Sequence, residues 1–228
     1  MAKQVKRKLK IKVLPLLVFI LIVLIIVGVT YNLIRIPIRN IYIEDNTYLT
    51  DQEIIELAKI DNYPSFLLTF SKSIERNIKR SVYIEKVKVT KSIGAVGVTI
   101  KVKEHGVLFR KEENKKIVLS NAKELADKEY RFMVPLLLNY IPDNKYNLFI
   151  EGMSKIEPDI RGLISEITYS PNDQDKDRFL LNMSDGNYVY LTLTKFRHLN
   201  LYEEVLKRLD GKKGILYLDS GNHFQIIE

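Results

Sequence analysis

From Val13 to Ile34 the chain runs without a single charged residue, mostly Leu, Ile and Val, between Lys12 and Arg35. No other feature limits the fold so severely. As a helix this segment is roughly 33 Å long, enough to cross a hydrocarbon core of about 30 Å. A cleaved signal peptide would carry a shorter apolar region, about 7–15 residues, ending in a small-x-small site. Gly28-Val29-Thr30 is a poor match to such a site. A buried helix of a soluble protein would not need uncharged residues on every side. The expectation is an uncleaved membrane-spanning helix over 13–34.

The charge pattern agrees with that expectation. A net charge of +8 and a pI near 9.4 look like a nucleic-acid signal until they are located. Lys3, Lys6, Arg7, Lys8, Lys10 and Lys12 fall within residues 1–12, with no acid among them. Six of the 36 basic side chains stand there, so 30 face 28 acidic ones in the remainder. The body is nearly neutral, which argues against a phosphate-binding surface and a nucleic-acid partner. A basic tail before the span and only Arg35 and Arg39 close behind it place the N-terminus in the cytoplasm and the rest outside. The tail then meets an anionic inner leaflet, at about 1 kcal/mol per Lys or Arg. The chain has no cysteine, which excludes a disulfide scaffold, a Cys-ligated metal and a thiol nucleophile.

After the span, Ile36 to Ile43 reads as a strand, with Pro37 restricted to its start or to an edge. Thr50 and Glu53 have capping-box spacing, and Ile54, Leu57 and Ala58 give the helix that follows one apolar side. Beyond Asn62-Tyr63-Pro64-Ser65, Phe66, Leu67, Leu68 and Phe70 form an apolar patch. A second short helix is expected from about Lys72 to Arg80, burying Ile74 and Ile78. Val87 and Val89 alternate with Lys86, Lys88 and Thr90. Val96, Val98, Ile100 and Val102 alternate with Gly97, Thr99, Lys101 and Lys103, so one sheet face is buried. Ser92-Ile93-Gly94-Ala95 joins the two strands. The order is β-α-α-β-β over 36–104, two helices on one face of a three-stranded sheet.

Residues 105–228 are richer in strands. Ile117-Val118-Leu119 and Met133 to Leu138 are candidate strands. Ser154 and Glu157 repeat the capping-box spacing and open a short helix carrying Ile156, Ile160 and Leu163. Asp185-Gly186, as a two-residue loop, sets Met183 opposite Tyr188 and Leu181 opposite Tyr190. Leu199, Tyr202, Leu206 and Leu209 make a helical stripe that Asp210-Gly211 ends. A last hairpin pairs Ile215–Leu218 with Phe224–Ile227 around Asp219-Ser220-Gly221-Asn222. The expected fold class is α+β: a basic tail over 1–12, a transmembrane helix over 13–34, a β-α-α-β-β module over 36–104 and a strand-rich domain over 105–228.

Candidate chemistry is sparse. Asp173, Asp175 and Asp177 alternate like calcium ligands, but the loop would need Gly and a bidentate acid where Arg178 and Ser184 stand. A solvated turn is expected instead. His105, His198 and His223 lie far apart and outside any zinc motif, so no metal site is expected. No Gly-x-Ser-x-Gly elbow and no phosphate-cradling glycine loop is present. Glu203 and Glu204 share a helix with Lys207 and Arg208, the pattern of an exposed charged face. Glu104-His105 has the residue types of an acid–base couple, but neighbours on a strand point apart, and a strand end reaching water is the favoured reading. Asn182-Met183-Ser184 matches a glycosylation triplet inside a predicted strand. No catalytic residue and no cofactor is assigned.

Ile41-Tyr42-Ile43-Glu44-Asp45-Asn46-Thr47-Tyr48-Leu49-Thr50 resembles the opening of the polypeptide-transport-associated (POTRA) module of a bacterial cell-division family, called DivIB in Gram-positive and FtsQ in Gram-negative bacteria. In that family a strand usually runs into a Gly-Asn turn and a capped helix; here Asp45 replaces the Gly. Ile84 to Val102 is similar to the module's closing strand pair, and Glu104 matches the acid that often ends it. His105-Gly106-Val107 lacks the Arg and Pro that usually follow. Gly214 to Phe224 resembles the family's last hairpin, and the resemblance runs over essentially the whole chain.

The resemblance implies a non-enzymatic assembly protein of the division machinery. It would sit in the cell membrane at the septum as a single-pass protein with its C-terminal domain outside. Its outer domain would bind the small bitopic division proteins DivIC (FtsB) and FtsL and help to regulate septal peptidoglycan synthesis. A membrane-tethered cell-wall enzyme and an extracytoplasmic sensor domain are the alternatives. A deep polar pocket would favour them; an uncovered last strand would favour the interaction protein. Some relatives carry an extra polar tail, and functions of such a tail are not expected of a sequence ending at Glu228.

The last strand, His223 to Ile227, is therefore the expected partner-binding edge, blunted only by Glu228 and free of proline. Phe224 and Ile226 share one face, and Leu218, across the Ser220-Gly221 turn, is expected to extend the patch. The other reading has Phe224 and Ile226 pointing into the core. Proline at Gln225 is expected to remove a ladder donor.

Overall fold

A computed structural model describes residues 13–127, 130–209 and 211–227. The basic tail, the Asp210 helix stop and Glu228 lie outside the described residues. The chain divides into two compact units, Met1–Glu104 and His105–Glu228.

The first unit opens with α1 (Val13–Ile34), a helix that buries none of its side chains against other described residues. Apolar all round, it suits a lipid surrounding. Two polar side chains near its C-terminal end bond back into the helix: Thr30 Oγ1 donates to the Ile26 carbonyl at 2.7 Å, and Asn32 Nδ2 to the Gly28 carbonyl at 2.8 Å. Arg35 then lies 4.4 Å from the centre of the Tyr31 ring.

The expected strand from Ile36 is shorter than its apolar pattern. Pro37 forms only an isolated bridge with Ser65, and the Ile38 N–H goes to the Pro64 carbonyl at 3.0 Å. Regular pairing begins at β1 (Asn40–Glu44). Asp45 takes a left-handed φ of 63°, the conformation a glycine adopts readily, and its carboxylate meets Lys101 Nζ at 2.8 Å. Thr50 and Glu53 close the capping box of α2 (Asp51–Ala58), which is followed by α3 (Ser71–Ile78). β2 (Ile84–Ser92) and β3 (Gly97–Glu104) complete a sheet of order β1-β3-β2, with β1 parallel to β3. Ile54, Ala58, Ile74 and Ile78 from the helices meet Val89, Val98, Ile100 and Val102 from the sheet in one core. Lys88, Lys101 and Lys103 take the opposite, wet face.

The second unit is a nine-stranded sheet with helices against it. Its elements are β4 (Val107–Lys111), β5 (Lys116–Leu119), β6 (Glu124–Ala126), β7 (Leu136–Leu137), α4 (Asp143–Ser154), α5 (Pro158–Gly162), β8 (Ile164–Tyr169), β9 (Arg178–Met183) and β10 (Tyr188–Thr192). A 3₁₀ helix, Leu193–Leu201, runs into α6 (Tyr202–Arg208), and β11 (Gly214–Tyr217) and β12 (His223–Ile226) close the chain. The sheet order is β12-β11-β10-β9-β8-β7-β4-β5-β6. Phe149 of α4 stacks on Phe179 of β9 at 4.9 Å and meets Phe196 edge-on at 5.7 Å, at the centre of the core.

Three local expectations are corrected here. The strand from Met133 to Leu138 shrinks to β7, because Pro135 cannot donate to a ladder; its carbonyl instead accepts the Arg110 N–H at 2.8 Å. The Ser154–Glu157 capping box does not form, because Ser154 still belongs to α4 and its hydroxyl donates to the Glu151 carbonyl. Pro158 occupies the first turn of α5 instead. The β9–β10 hairpin is shifted by one residue: Leu181 faces Val189 and Leu180 faces Tyr190. Gly186, at φ 89°, is the third residue of a bulged loop, with Met183 accepting from Gly186 and donating to Asn187.

Candidate functional site

The geometry of the last hairpin begins in the turn before β10. Asp185 Oδ1 accepts the Asn187 N–H at 3.0 Å, and Asp185 Oδ2 accepts from the Asn187 amide at 2.9 Å. Asn187 is buried, and its Oδ1 accepts the Gly214 N–H at 2.9 Å. The buried Tyr202 hydroxyl donates to the same Asp185 carboxylate at 2.9 Å. Burial, reinforced by Asp185, pushes the Tyr202 phenol far above its ordinary range, so it remains a donor. A turn, a helix start and the first residue of β11 are thus held by one polar network.

The outward face of the hairpin is fixed by a second device. Arg178 of β9 lies 3.5 Å from the Tyr190 ring centre, Tyr190 stacks on Tyr217 at 5.6 Å, and Tyr217 on His223 at 4.7 Å. This row crosses four neighbouring strands. Arg178 Nε also donates to Asp219 Oδ2 at 2.7 Å, next to the turn. Burial works to raise the Asp219 carboxyl, but Arg178 and the Ser220 N–H and hydroxyl outweigh it and hold it below the usual carboxylate range.

Among the described residues, β12 pairs only with β11. The Ile227 N–H donates to the Lys213 carbonyl at 3.0 Å. Antiparallel ladders alternate, so Gln225 and His223 also turn their backbone groups towards β11. Phe224 and Ile226 then turn theirs to the open edge. Proline at Gln225 would therefore break the β11 ladder, not the outer edge; the residue for that test is Ile226.

Side chains complete the picture. Leu216 faces Phe224 and Gly214 faces Ile226, which places both apolar side chains of β12 on the core side of the sheet. Phe224 is half-buried against the core, its ring 2.7 Å from where a Gly214 Cβ would stand. Ile226, farther along, runs out of core and is 49% exposed. Leu218 is buried in the core, so it does not extend the surface patch: it continues the inward parity of Leu216. Ser220 and Gly221 form the turn, with the Ser220 N–H and hydroxyl both donating to Asp219 Oδ1. The Asp185–Asn187–Tyr202 network was not read as positional from sequence, although Asp185-Gly186 marked its location.

The other candidates are occupied by structure. Glu104 accepts the backbone N–H groups of Thr47, Tyr48 and Leu49, both oxygens included, and so ties the end of β3 to the entrance of α2. It is not an acid–base partner of His105, whose Nδ1 lies 3.3 Å from Ser120 Oγ. Ser120 and Lys123 have Ser-x-x-Lys spacing, a pair not among the sequence candidates; they flank a turn in which Ala122 has φ 63° and the Asn121 carboxamide accepts the Lys123 N–H. In the acidic loop, Asn172 Oδ1 accepts from Gln174 and Asp175, and Lys145 pairs with Asp177. Asn182 donates to Glu166 at 2.7 Å within the sheet. A cleft of about 310 Å³ beside α4 is lined by Lys111, Glu113, Asn139, Tyr140 and Asp143, among others. Lys111 pairs with Glu124 and the Tyr140 hydroxyl with Asp143, while the buried Tyr146 hydroxyl, also in the lining, makes no hydrogen bond among the described residues. Among the described residues no cluster of metal-ligating side chains occurs.

Residues 36–105 match the family model described as POTRA domain, FtsQ-type. The Cell division protein DivIB of Bacillus cytotoxicus is 25% identical over 84% of this chain and 77% of that protein. The DivIB of Listeria monocytogenes is 24% identical over 98% and 85% respectively. The chain thus carries an FtsQ-type POTRA domain and is similar over most of its length to DivIB cell-division proteins. The major extracytoplasmic domain of DivIB from Geobacillus stearothermophilus aligns with 47% of the chain at 21% identity and a TM-score of 0.39. The DivIB/FtsQ family is one of non-enzymatic division proteins; among the described residues this chain has one helix long and apolar enough to cross a membrane, α1, ahead of its POTRA domain.

Proposed function

We propose that this cell-division protein is a membrane-anchored scaffold, with its tail in the cytoplasm and residues after Arg35 outside, at the septum. Its second unit captures small bitopic division proteins of the DivIC/FtsB and FtsL kind, and through them helps to regulate septal peptidoglycan synthesis. One observation carries the reading: the outer edge of β12 offers the backbone groups of Phe224 and Ile226 beside an exposed Ile226 side chain. An edge of this kind is a template for an added strand, whose backbone ladder gives direction and whose side chains give selectivity. The tyrosine row and the Asp185 network hold that edge in place before any partner arrives, which lowers the ordering cost of association.

The test is co-purification of bitopic division proteins with the full chain from detergent-solubilised membranes. Ile226→Ser removes exposed apolar surface, and Ile226→Pro removes an outward donor at an edge where proline is tolerated. Both variants are expected to lose the bitopic partners while unfolding at the wild-type temperature. Undiminished co-purification with both would end the strand-addition reading.

A further inference from the structure

The apolar patch after Pro64 has no part in the strand edge, and the first unit places it in a revealing position. Phe66 is buried in the module core, whereas Leu67, Leu68 and Phe70 face outward, Phe70 at 69% exposure. The loop is rigidly built. The Ser65 carbonyl accepts the Thr69 N–H at 3.0 Å, Ser65 Oγ accepts the Leu68 N–H at 3.3 Å, and Lys91 Nζ reaches from β2 to the carbonyls of Phe66 and Thr69. The loop is also tied to the chain leaving α1: the Phe66 N–H donates to the Ile36 carbonyl at 2.8 Å, and the Ile38 N–H to the Pro64 carbonyl.

A second loop is tied to the same exit. The Arg39 N–H donates to the Val96 carbonyl at 2.9 Å and Asn40 Nδ2 to the Ala95 carbonyl at 2.9 Å, holding the β2–β3 turn beside residues 39–40. The tip of that turn is Ile93, 84% exposed. Two separate loops, each hydrogen-bonded to the few residues after the span, thus both present large apolar side chains outward.

Ile36 lies two residues past the end of α1, at most about 7 Å along the chain. The headgroup layer on each side of a bilayer is about 5–7 Å thick. The Tyr31–Arg35 pair is of the kind found at that boundary. A neighbouring backbone is only about 5 Å farther away. Arg35 and Arg39 in the chain leaving α1, and Lys72 and Arg76 beside Phe70, are exposed and add positive charge, the sign that favours anionic lipid.

We propose that the 64–70 loop and the 92–96 turn form a lipid-binding collar, with Leu67, Leu68, Phe70 and Ile93 lodged in the headgroup region of an anionic outer leaflet. The collar gives the module two contacts with the bilayer besides the span and so restricts its rocking about the α1 exit. The inference rests on α1 crossing the membrane.

Because the chain has no cysteine, single labels are unambiguous. The full chain is reconstituted in phosphatidylethanolamine–phosphatidylglycerol vesicles with an environment-sensitive fluorophore at Leu68→Cys, Ile93→Cys, Val23→Cys or Lys86→Cys. Val23 lies mid-span, and Lys86 pairs with Lys103 towards the far end of β3. Labels at Leu68 and Ile93 are expected to emit blue-shifted and to be quenched by a lipid carrying a nitroxide on its headgroup; the Lys86 label is expected to emit as in water. Water-like emission at Leu68 or at Ile93 in these vesicles, with Val23 still reporting lipid, overturns the collar alone. The same result followed by shielding in native membranes would assign the patch to a protein partner and likewise overturn it. Water-like emission at Val23 would overturn the spanning helix itself, and the collar with it.

Discussion

At the scale of single residues, the carboxylates here build structure. Glu104 accepts from three backbone N–H groups of the turn before α2; in Glu104→Ala water replaces it at exposed Thr47, and the loss at buried Leu49 should cost on the order of 1–3 kcal/mol. Ile100, fully buried between helices and sheet, should cost roughly 2–5 kcal/mol as alanine. Lys103→Ala on the wet face should stay within about 0.5 kcal/mol. Hydrogen exchange of the β1–β3 amides in the detergent-solubilised chain would rank the three; an Ile100 effect as small as that of Lys103 would mean the strand parity is wrong. Asp219 gives a pH prediction. Its carboxyl is lower in the folded chain than its ordinary 3.8, so its stabilisation of the last hairpin is fully present above that value. It is lost as pH falls through the lower, folded value. Hairpin amides should therefore lose protection at acid pH, and Asp219→Asn should abolish that part of the pH dependence.

At the scale of elements, close backbone approach decides whether β12 docks. A Cβ on Gly214 would stand 2.0 Å from the Gln225 carbonyl oxygen, a backbone atom that cannot swing aside. Gly214→Ala should push β12 off β11 and abolish partner capture, whereas Gly162→Ala, with open space around it, should leave both intact. Exchange protection of the Gln225 and Ile227 amides reads the first effect directly, and full protection in Gly214→Ala would refute the close approach. That approach was not legible in the sequence, since nothing in Gly-Ile-Leu-Tyr says that a neighbouring strand crosses so near. The β-α-α-β-β order was legible, because period-two valines and a Thr-x-x-Glu cap are local signals. The α4 helix could have been read as well: Tyr146, Phe149, Ile150 and Met153 follow i, i+3, i+4, i+7, although Gly152 and two asparagines obscure the pattern. The hairpin slip has a different cause. Asp-Gly suits a two-residue loop and the bulged three-residue loop equally, and only the buried Asn187, bonded to Gly214, decides between them. Leu218 was misplaced for a related reason, since alternation gives two faces but does not say which is wet when a strand has a core on one side only.

At the scale of the whole molecule, orientation in the membrane depends on a charge difference that the folded units do not contribute. On the proposed topology the folded units do not bear on the bias, since long translocated regions cross largely regardless of their charge. Lys3, Lys6, Arg7, Lys8, Lys10 and Lys12 precede α1, while Arg35 and Arg39 are the basic residues close behind it. The rule that retains positively charged flanks in the cytoplasm acts through this local excess. Replacing all six tail residues with glutamine leaves the two arginines as the larger positive flank and reverses the sign of the bias. The wild-type chain should resist alkaline extraction, and protease added outside should remove residues beyond Arg35 while sparing an N-terminal tag. The glutamine variant should insert as firmly, since its apolar segment is unchanged, but in a mixed or inverted population with a tag open to external protease. On the proposed strand addition, division should fail in proportion, because the edge of β12 would then lie across the membrane from its partner. Wild-type protection of the tag in the glutamine variant would show that translocation of the folded units, and not the tail, sets the orientation.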